Sequence, residues 1–419
     1  LKVLVVGGGG REHAIVHKLS LSDRVSELFC TPGNGGISDI ATCAPIKATD
    51  LTGVYKYAIE NKADLVFVAS DDPLALGMVD MFEKEGIRVF GPSKEASILE
   101  SSKVFSKNLM KKYNIPTASY ETFDNAGKAI EYIRSIDMPV AVKADGLALG
   151  KGAIMAHSRE DAVAAVKSIM DDRQFGDSGN RIVIEEYLVG REVTVLAFTD
   201  GRTVVPMVSS QDHKRAYDND EGLNTGGMGA ISPSRIYTKE LADICMHSIF
   251  RPTIEAMMKE GRKFKGVIYF ELMTTKDGPK VIEYNARFGD PEAQVVLPLL
   301  KTDLMDIIDA VIDERLDKIE IEWHDKAAAC IVAASGGYPV DYIKGYEIEG
   351  LQELEGAEDV FVYHAGTLKE NGRYITNGGR VLGVTATGDD LDSALAKAYS
   401  SIEKIRFTDM HYRRDIGKK

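Results

Sequence analysis

Over residues 1–100, short apolar runs alternate with segments of helical periodicity: KVLVV before REHAIVHKLSL, then SELFCT, VYKYAIENK before ADLVFVAS, and ALGMVDMFEKEG before IRVFGPS. Strands covered by helices on both faces read as unbroken apolar runs rather than alternating ones. The rhythm therefore predicts an open parallel α/β sheet in this part of the chain. At 419 residues the chain is too long for one core, and two to four domains are expected. Its 51 basic and 64 acidic residues, a net charge of −13, argue against nucleic-acid binding, which draws its affinity from neutralising phosphates. A small anionic substrate stays compatible, because a few lysines and arginines can reverse the field inside a cleft. Cys30, Cys43, Cys245 and Cys330 form no CxxC pair, so neither a zinc site nor a disulfide framework is expected, and reduced thiols fit a cytoplasmic protein. The apolar run in LKVLVVGGGGREH is too short for a signal peptide, and no segment reaches the ~20 apolar residues of a membrane span.

Further along, SKVFSKNLMKKYN reads as a helix stopped at Ile115-Pro116. PVAVKADG is expected to pair with GAIMAH, and RIVIEEYL with EVTVLAFTDG; DAVAAVKSIM between them reads as an amphipathic helix. The stretch QDHKRAYDNDEGLNTGGMGAIS, residues 211–232, has no periodicity and is long for a loop, a length that usually signals function or disorder. LADICMHSIFRPTIEAMMKEG is helix-like, and GVIYFELMTT, KDG and PKVIEYNA form a hairpin. Past residue 325 the chain turns to short β-like runs with glycine turns and a closing helix, LDSALAKAYSSIEKI. With no repeats or low-complexity linkers, the domains are expected to pack closely.

The chemistry concentrates in a few stretches. In VIEYNARFGDPEAQ (281–294), Glu283, Asn285 and Arg287 alternate, so an extended chain puts all three on one face. The hairpin partner carries Glu271, which a three-residue turn can align with Glu283. Carboxylates and an amide oxygen are hard ligands suited to Mg²⁺, which takes few protein ligands alongside nucleotide phosphates; salt bridging on an exposed strand is the plainer reading, but it leaves Asn285 unexplained. GGGGREH offers bare amides at a helix start, as anion sites do, yet as a dinucleotide fingerprint it lacks the third glycine, with Glu12 and His13 in its place. A tight βα turn and a phosphate contact weigh equally there. VKADGLALGKG (142–152) joins Lys143 and Lys151 to three glycines without the order of a Walker loop, a weak signal that also fits a solvated turn. VIEEYLVGREVTV places acids at a strand end that could rim a nucleotide cleft, but its spacing favours a plain β-turn between hairpin strands.

In order along the chain, KVLVVGGGGREHA, TPGNGG, VFGPS, SSKVFSK, VKADGLALGKG, VIEEYLVGRE, SQDHKR, NTGGMGA, IEYNARFGDPE and YRRDIG resemble the ATP-grasp superfamily and, within it, the phosphoribosylamine–glycine ligases (glycinamide ribonucleotide synthetases), nearly end to end. The resemblance implies an α/β and α+β multidomain fold. Its parts are an N-terminal open parallel sheet (1–102), a central ATP-grasp region (103–325) with a mobile lid about 116–190, and a small β-rich C-terminal domain (326–419). It implies an ATP-dependent ligase of purine biosynthesis that takes glycine and 5-phosphoribosylamine with Mg²⁺ or Mn²⁺, without nucleic acid or membrane, as a monomer or weak dimer. By the same analogy Lys103 and Lys143 hold ATP phosphates, with Lys107 an alternative to Lys103; Glu185, Glu186 and Leu188 line the adenine, and Glu192 meets the ribose. Arg215 and Asn224 face the nucleotide, and Glu283 and Asn285 hold the metal. Glu271 stands where this family commonly has a small residue, and is either a further ligand or turned away. Arg287 and Asp290 suit the glycine carboxylate and amine; Asp212, His213 and Lys214 face the substrates, with His213 a positioner rather than a base. For the ribose 5-phosphate, Gly10-Arg11 and Arg413-Arg414 are both candidates, although arginines near a chain end are usually solvated.

Overall fold

The computed structural model describes residues 1–148 and 152–418. The apolar runs of the first hundred residues become β1 (Lys2–Gly7), β2 (Glu27–Pro32), β3 (Thr42–Cys43), β4 (Leu65–Val68) and β5 (Arg88–Phe90), all parallel, in the order β3-β2-β1-β4-β5. Val3–Val6 and Leu65–Val68 are buried because helices cover both faces. The open parallel sheet expected from the rhythm is thus present, with β3 as an added short edge. ALGMVDMFEKEG forms two helices rather than one, broken at Gly77, which adopts φ +90. Strand order reverses between β1 and β4, which opens a crevice outside their carboxyl ends, where open α/β sheets bind ligands.

A second sheet, β6 (Tyr120–Phe123), β7 (Val140–Ala144), β8 (Ala153–Ala156) and β9 (Ile182–Glu186), has the order β6-β9-β7-β8. The hairpin expected between PVAVKADG and GAIMAH is there, with Lys143 opposite Ala153. Gly150 and Lys151 of its tip lie outside the described residues.

β10 (Arg191–Thr199) does not pair with β9, contrary to the expected hairpin. Both edges of β9 are taken by β6 and β7, and β10 lies between its neighbours in a third sheet. The linker Tyr187–Gly190 has the length of a turn but crosses from one sheet to the next. That third sheet adds β11 (Val204–Pro206), and further along the chain come β12 (Gln211–Asp212), β13 (Arg215–Tyr217), β14 (Glu221–Asn224) and β15 (Gly229–Ser232). The stretch 211–232 is therefore not a loop. Its strands are too short to show a period, and they find partners in each other and in the later strand Ala327–Ala334.

β16 (Gly266–Thr275) and β17 (Gly278–Asn285) complete the third sheet, β11-β10-β16-β17. β18 (Ala327–Ala334), β19 (Val360–His364), the β20–β21 hairpin (Thr367–Glu370, Arg373–Thr376) and β22 (Arg380–Gly388) follow, and the closing helix Leu391–Ile402 packs on β18 and β22. β12 and β15 join β18, β22 and β19 in one antiparallel sheet, so the segment 211–232 is physically shared between the middle and the end of the chain. Among the described residues no helix is long and apolar enough to cross a membrane.

Candidate functional site

A cleft of about 770 Å³ opens where the switch point of the first sheet, the β7–β8 hairpin, the 211–224 segment and β16–β17 converge. β17 supplies its floor. Tyr284, Ala286 and Phe288 are buried on one face, leaving Glu283, Asn285 and Arg287 on the other, the alternation read from the sequence. Glu271 stands directly opposite Glu283 across the hairpin, and a register shift beside that pair leaves Ile282 as an extra residue in β17.

Each member of the row has a protein neighbour. Arg287 ion-pairs Glu100 at 3.0 Å and donates to Asn285 Oδ1 at 3.3 Å, while the second Glu100 oxygen accepts from the Ala286 amide at 2.7 Å. Burial pushes the Glu283 carboxyl up, but the ammonium groups of Lys103, Lys143 and Lys214 and the Arg287 guanidinium outweigh it and hold it below the usual range. Glu271 is ion-paired with Lys214, which also approaches Glu192 at 3.8 Å. The oxygens of Glu283 and Asn285 make a small hard set that suits Mg²⁺ sharing its shell with phosphates, whereas Glu271 serves first as the counter-ion of Lys214. Among the described residues no group of three or more His, Cys, Asp or Glu side chains stands ready for a metal.

On the side of the β7–β8 hairpin, Lys143 and Lys107 both reach one oxygen of Glu185, at 3.1 and 2.9 Å, and all three are buried. Burial pushes Lys107 down to about 8 against the pull of Glu185; for Lys143 the carboxylates win and its pKa is raised. Lys107 also donates to Thr117 at 2.7 Å, whereas Lys103 lines the cleft. Glu185 turns its side chain to the two lysines, while Glu186 accepts from Ser119 at 3.2 Å and faces Lys280 at 3.6 Å. Leu188, on the crossing from β9 to β10, and Glu192, near the start of β10, border the cleft. Asp145 ties the base of the hairpin to the helix Lys103–Lys112: its carboxylate accepts from Ser102 and from the Val104 amide, each at 2.8 Å.

At the crevice, the glycine run is forced by close approach. A Cβ on Gly10 would stand 2.5 Å from Gln294 Nε2, and one on Gly7, where φ is +140, would stand 2.4 Å from Glu12 Cγ. Glu12 closes the space that a third glycine would open for a dinucleotide, and its carboxylate accepts from the Gly9 amide at 2.6 Å. The Arg11 amide donates to Asp290 at 3.2 Å, Gln294 donates to it at 2.7 Å, and Arg380 lies 3.3 Å from it. Burial opposes ionisation of Asp290, but Arg380 and Arg11 hold its pKa low. Asp212 is the reverse case: burial and the nearby Glu292 push it well up. His213 is buried, with burial and Arg413 lowering its pKa to about 4, so its ring is neutral near pH 7. Arg215 and Asn224 pair across the β13–β14 hairpin and line the cleft. Arg413 is fully buried and bonded to Asp220, Asp415 and the Arg215 carbonyl, which overturns the expectation of a solvated arginine; Arg414 is exposed.

Sequence reasoning passed over Glu100, Glu292, Tyr269 and Arg380. Glu292 lies inside the motif that drew attention and accepts from Tyr269 at 2.8 Å. Arg380 comes from β22, and only the glycine pair before it could have flagged a tight approach.

Comparison with known proteins sets the chain in a family. Models of the phosphoribosylglycinamide synthetase N domain, ATP-grasp (A) domain and C domain match residues 1–100, 101–293 and 328–419. The phosphoribosylamine–glycine ligase of Caldanaerobacter subterraneus subsp. tengcongensis is 48% identical over 417 residues, covering 100% of this chain and 99% of that protein. The crystal structure of phosphoribosylamine–glycine ligase from Thermotoga maritima superposes with a TM-score of 0.87 at 32% identity over 100% of both chains. The biotin carboxylase domain of Hydrogenobacter thermophilus 2-oxoglutarate carboxylase, solved with MgADP and bicarbonate, shares the fold alone, with TM-score 0.75 at 16% identity over 98% of this chain and 91% of that one. From its first sheet to its last, the chain belongs to the phosphoribosylglycinamide synthetase family.

Proposed function

We infer that the chain is an ATP-dependent ligase of purine biosynthesis. It joins glycine to 5-phosphoribosylamine, giving glycinamide ribonucleotide, ADP and phosphate. The observation that carries this reading is the Glu283, Asn285 and Arg287 row, set in one cleft with Lys103, Lys143 and Lys214. A carboxylate is a poor electrophile toward an amine in water. Moving a phosphoryl group from ATP onto glycine makes an acyl phosphate that the amine can attack, with phosphate as leaving group. Such a transfer asks for charge neutralisation and alignment more than for covalent help. Lys103 and Lys143 hold the phosphates; a preorganised contact of this kind typically contributes ~3–4 kcal/mol of transition-state stabilisation. Mg²⁺ or Mn²⁺ held by Glu283 and Asn285 would add charge neutralisation at the phosphates.

Arg287 orients the glycine carboxylate and Asp290 its amine; Asp212 and Lys214 face the same substrates. Holding both reactants contributes roughly 7–11 kcal/mol through effective molarity, more than one acid–base group supplies, so no general base is assigned. The β7–β8 hairpin closes over the nucleotide as a lid, because an acyl phosphate in an open site would be lost to water. The adenine lies along Glu185, Glu186 and Leu188, with Glu192 at the ribose and Arg215 and Asn224 beyond. We place the enzyme in the cytoplasm, acting as a monomer or weak dimer.

The test is ADP release measured with ATP, glycine and phosphoribosylamine, each omitted in turn. Release that requires both co-substrates is expected. ADP release with bicarbonate in place of glycine would instead identify a carboxylase, and nucleotide binding without turnover would identify a regulator on the same fold.

A further inference from the structure

The C-terminal motif YRRDIG is unused by the mechanism, yet Arg413 and Asp415 of its segment stand in the wall of the cleft. The β13–β14 hairpin, which carries Arg215 and Asn224 into the cleft, turns through Asn219 and Asp220, both left-handed at φ +62 and +59. Two consecutive non-glycine residues in that region are costly and persist only where surrounding contacts hold them. Residues 411–417 supply those contacts. The Asn219 amide donates to Asp415 at 2.8 Å, and the Arg414 amide to Asp218 at 2.7 Å. His411 Nε2 donates to the Ala216 carbonyl at 2.7 Å. At the centre, Arg413 has 0% exposure and spends its planar fork on three elements: Asp415 through Nε and Nη2 at 2.8 Å, Asp220 at 3.0 Å, and the Arg215 carbonyl at 3.1 Å. The Gly417 amide donates to His213 Nε2 at 3.1 Å, which leaves the ring hydrogen on Nδ1, a buried atom without a protein partner in a residue that lines the cleft.

We propose that Arg413 is a positioning residue of the nucleotide site: it fixes the β13–β14 hairpin, so that Arg215 and Asn224 meet ATP in a preset geometry. The inference rests on the nucleotide-facing role given to those two residues above. A lysine cannot replace Arg413, since one ammonium group cannot bridge acceptors arranged for a planar fork.

The experiment compares Arg413→Lys, Asp220→Asn and Arg215→Ala in steady-state kinetics, with ATP and glycine varied separately and thermal unfolding recorded alongside. Losing a charge-assisted hydrogen bond that orders the hairpin is expected to raise the KM for ATP about tenfold in each variant, leaving the KM for glycine within about twofold. A fall in melting temperature with KM for ATP unchanged would make Arg413 merely structural and overturn the proposal, as would a loss spread equally over ATP and glycine. If Arg413→Lys fails to fold, Asp220→Asn decides, because its side chain is 48% exposed and tolerates the change. If Arg215→Ala raises the KM for ATP and Asp220→Asn does not, the clasp fails alone. If Arg215→Ala changes nothing, the nucleotide-facing reading of the hairpin fails and the proposal falls with it.

Discussion

Glu185 is the carboxylate shared by two buried lysines on different elements, Lys143 of β7 and Lys107 of the helix Lys103–Lys112, so its neutralisation tests how this sheet is held to that helix. Glu185→Gln keeps the shape and removes the charge. At an effective dielectric near 20, each contact at about 3 Å carries roughly 5 kcal/mol of gross attraction, most of it cancelled by desolvation. Breaking a buried pair while leaving its partner charged typically costs about 3–5 kcal/mol, the loss expected while both lysines stay protonated. Lys107 sets the pH dependence. With Glu185 present its pKa is about 8, and Glu185 is the largest influence raising it, so the variant's Lys107 releases its proton at lower pH. Between that lower value and 8 the folded parent holds a proton that the folded variant lacks. The deficit is therefore full at low pH and shrinks as pH rises through that window, by up to about 1.4 kcal/mol per unit. Amide exchange of Val140–Ala144 and Ile182–Glu186, corrected for intrinsic rates, reads the opening free energy of this sheet directly. A loss of about 3 kcal/mol or more is expected at pH 6.5, reduced by about 1–2 kcal/mol at pH 8.5. A deficit below about 1 kcal/mol at pH 6.5, or one indifferent to pH, would refute the claim that this carboxylate holds the sheet to the helix.

Three further outcomes follow from the geometry. Glu283→Gln should lower kcat/KM by a factor of about 10² or more while circular dichroism and melting temperature stay near the parent's, and near-normal turnover at saturating Mg²⁺ would contradict its ligand role. Burial lowers the pKa of His213 and of His364 to about 4, and that of His13 well below its usual 6.5. The unfolded chain takes up these protons first as pH falls, so stability is held above about 6.5 and lost toward 4, by up to about 3 kcal/mol each for His213 and His364; urea titrations across that range check it, and His364→Gln should flatten the slope by about one proton. Chelating divalent cations should weaken ATP binding at least about thirtyfold by direct titration, because the cleft does not neutralise the phosphate tail unaided; an unchanged Kd would reject that account.

What the sequence made legible was whatever a local period can encode. Alternation fixed which face of β17 carries Glu283, Asn285 and Arg287, and the unbroken runs VLVV and LVFV announced a sheet buried on both sides. Edge availability is not local. The spacing of VIEEYLVGREVTV fits a hairpin, but β9 and β10 each have two other neighbours, and that competition involves residues as distant as Tyr120 and Thr274. The partners of the site are hidden for the same reason: Glu100 reaches Ala286 across 186 positions, and Arg380 reaches the Asp290 carbonyl across 90. Charge was the least readable property. A few bases could have reversed the acidic field in the cleft, yet among the described residues nine basic side chains line it against twelve acidic ones. Its lysines face carboxylates: Lys143 meets Glu185, and Lys214 meets Glu271. An anionic nucleotide therefore enters a site where two of the three lysines, Lys143 and Lys214, are already engaged. Binding it requires either that these pairs open or that a divalent cation arrive with the phosphates, and the carboxylate–amide pair on β17 is the part of the cleft suited to receive one.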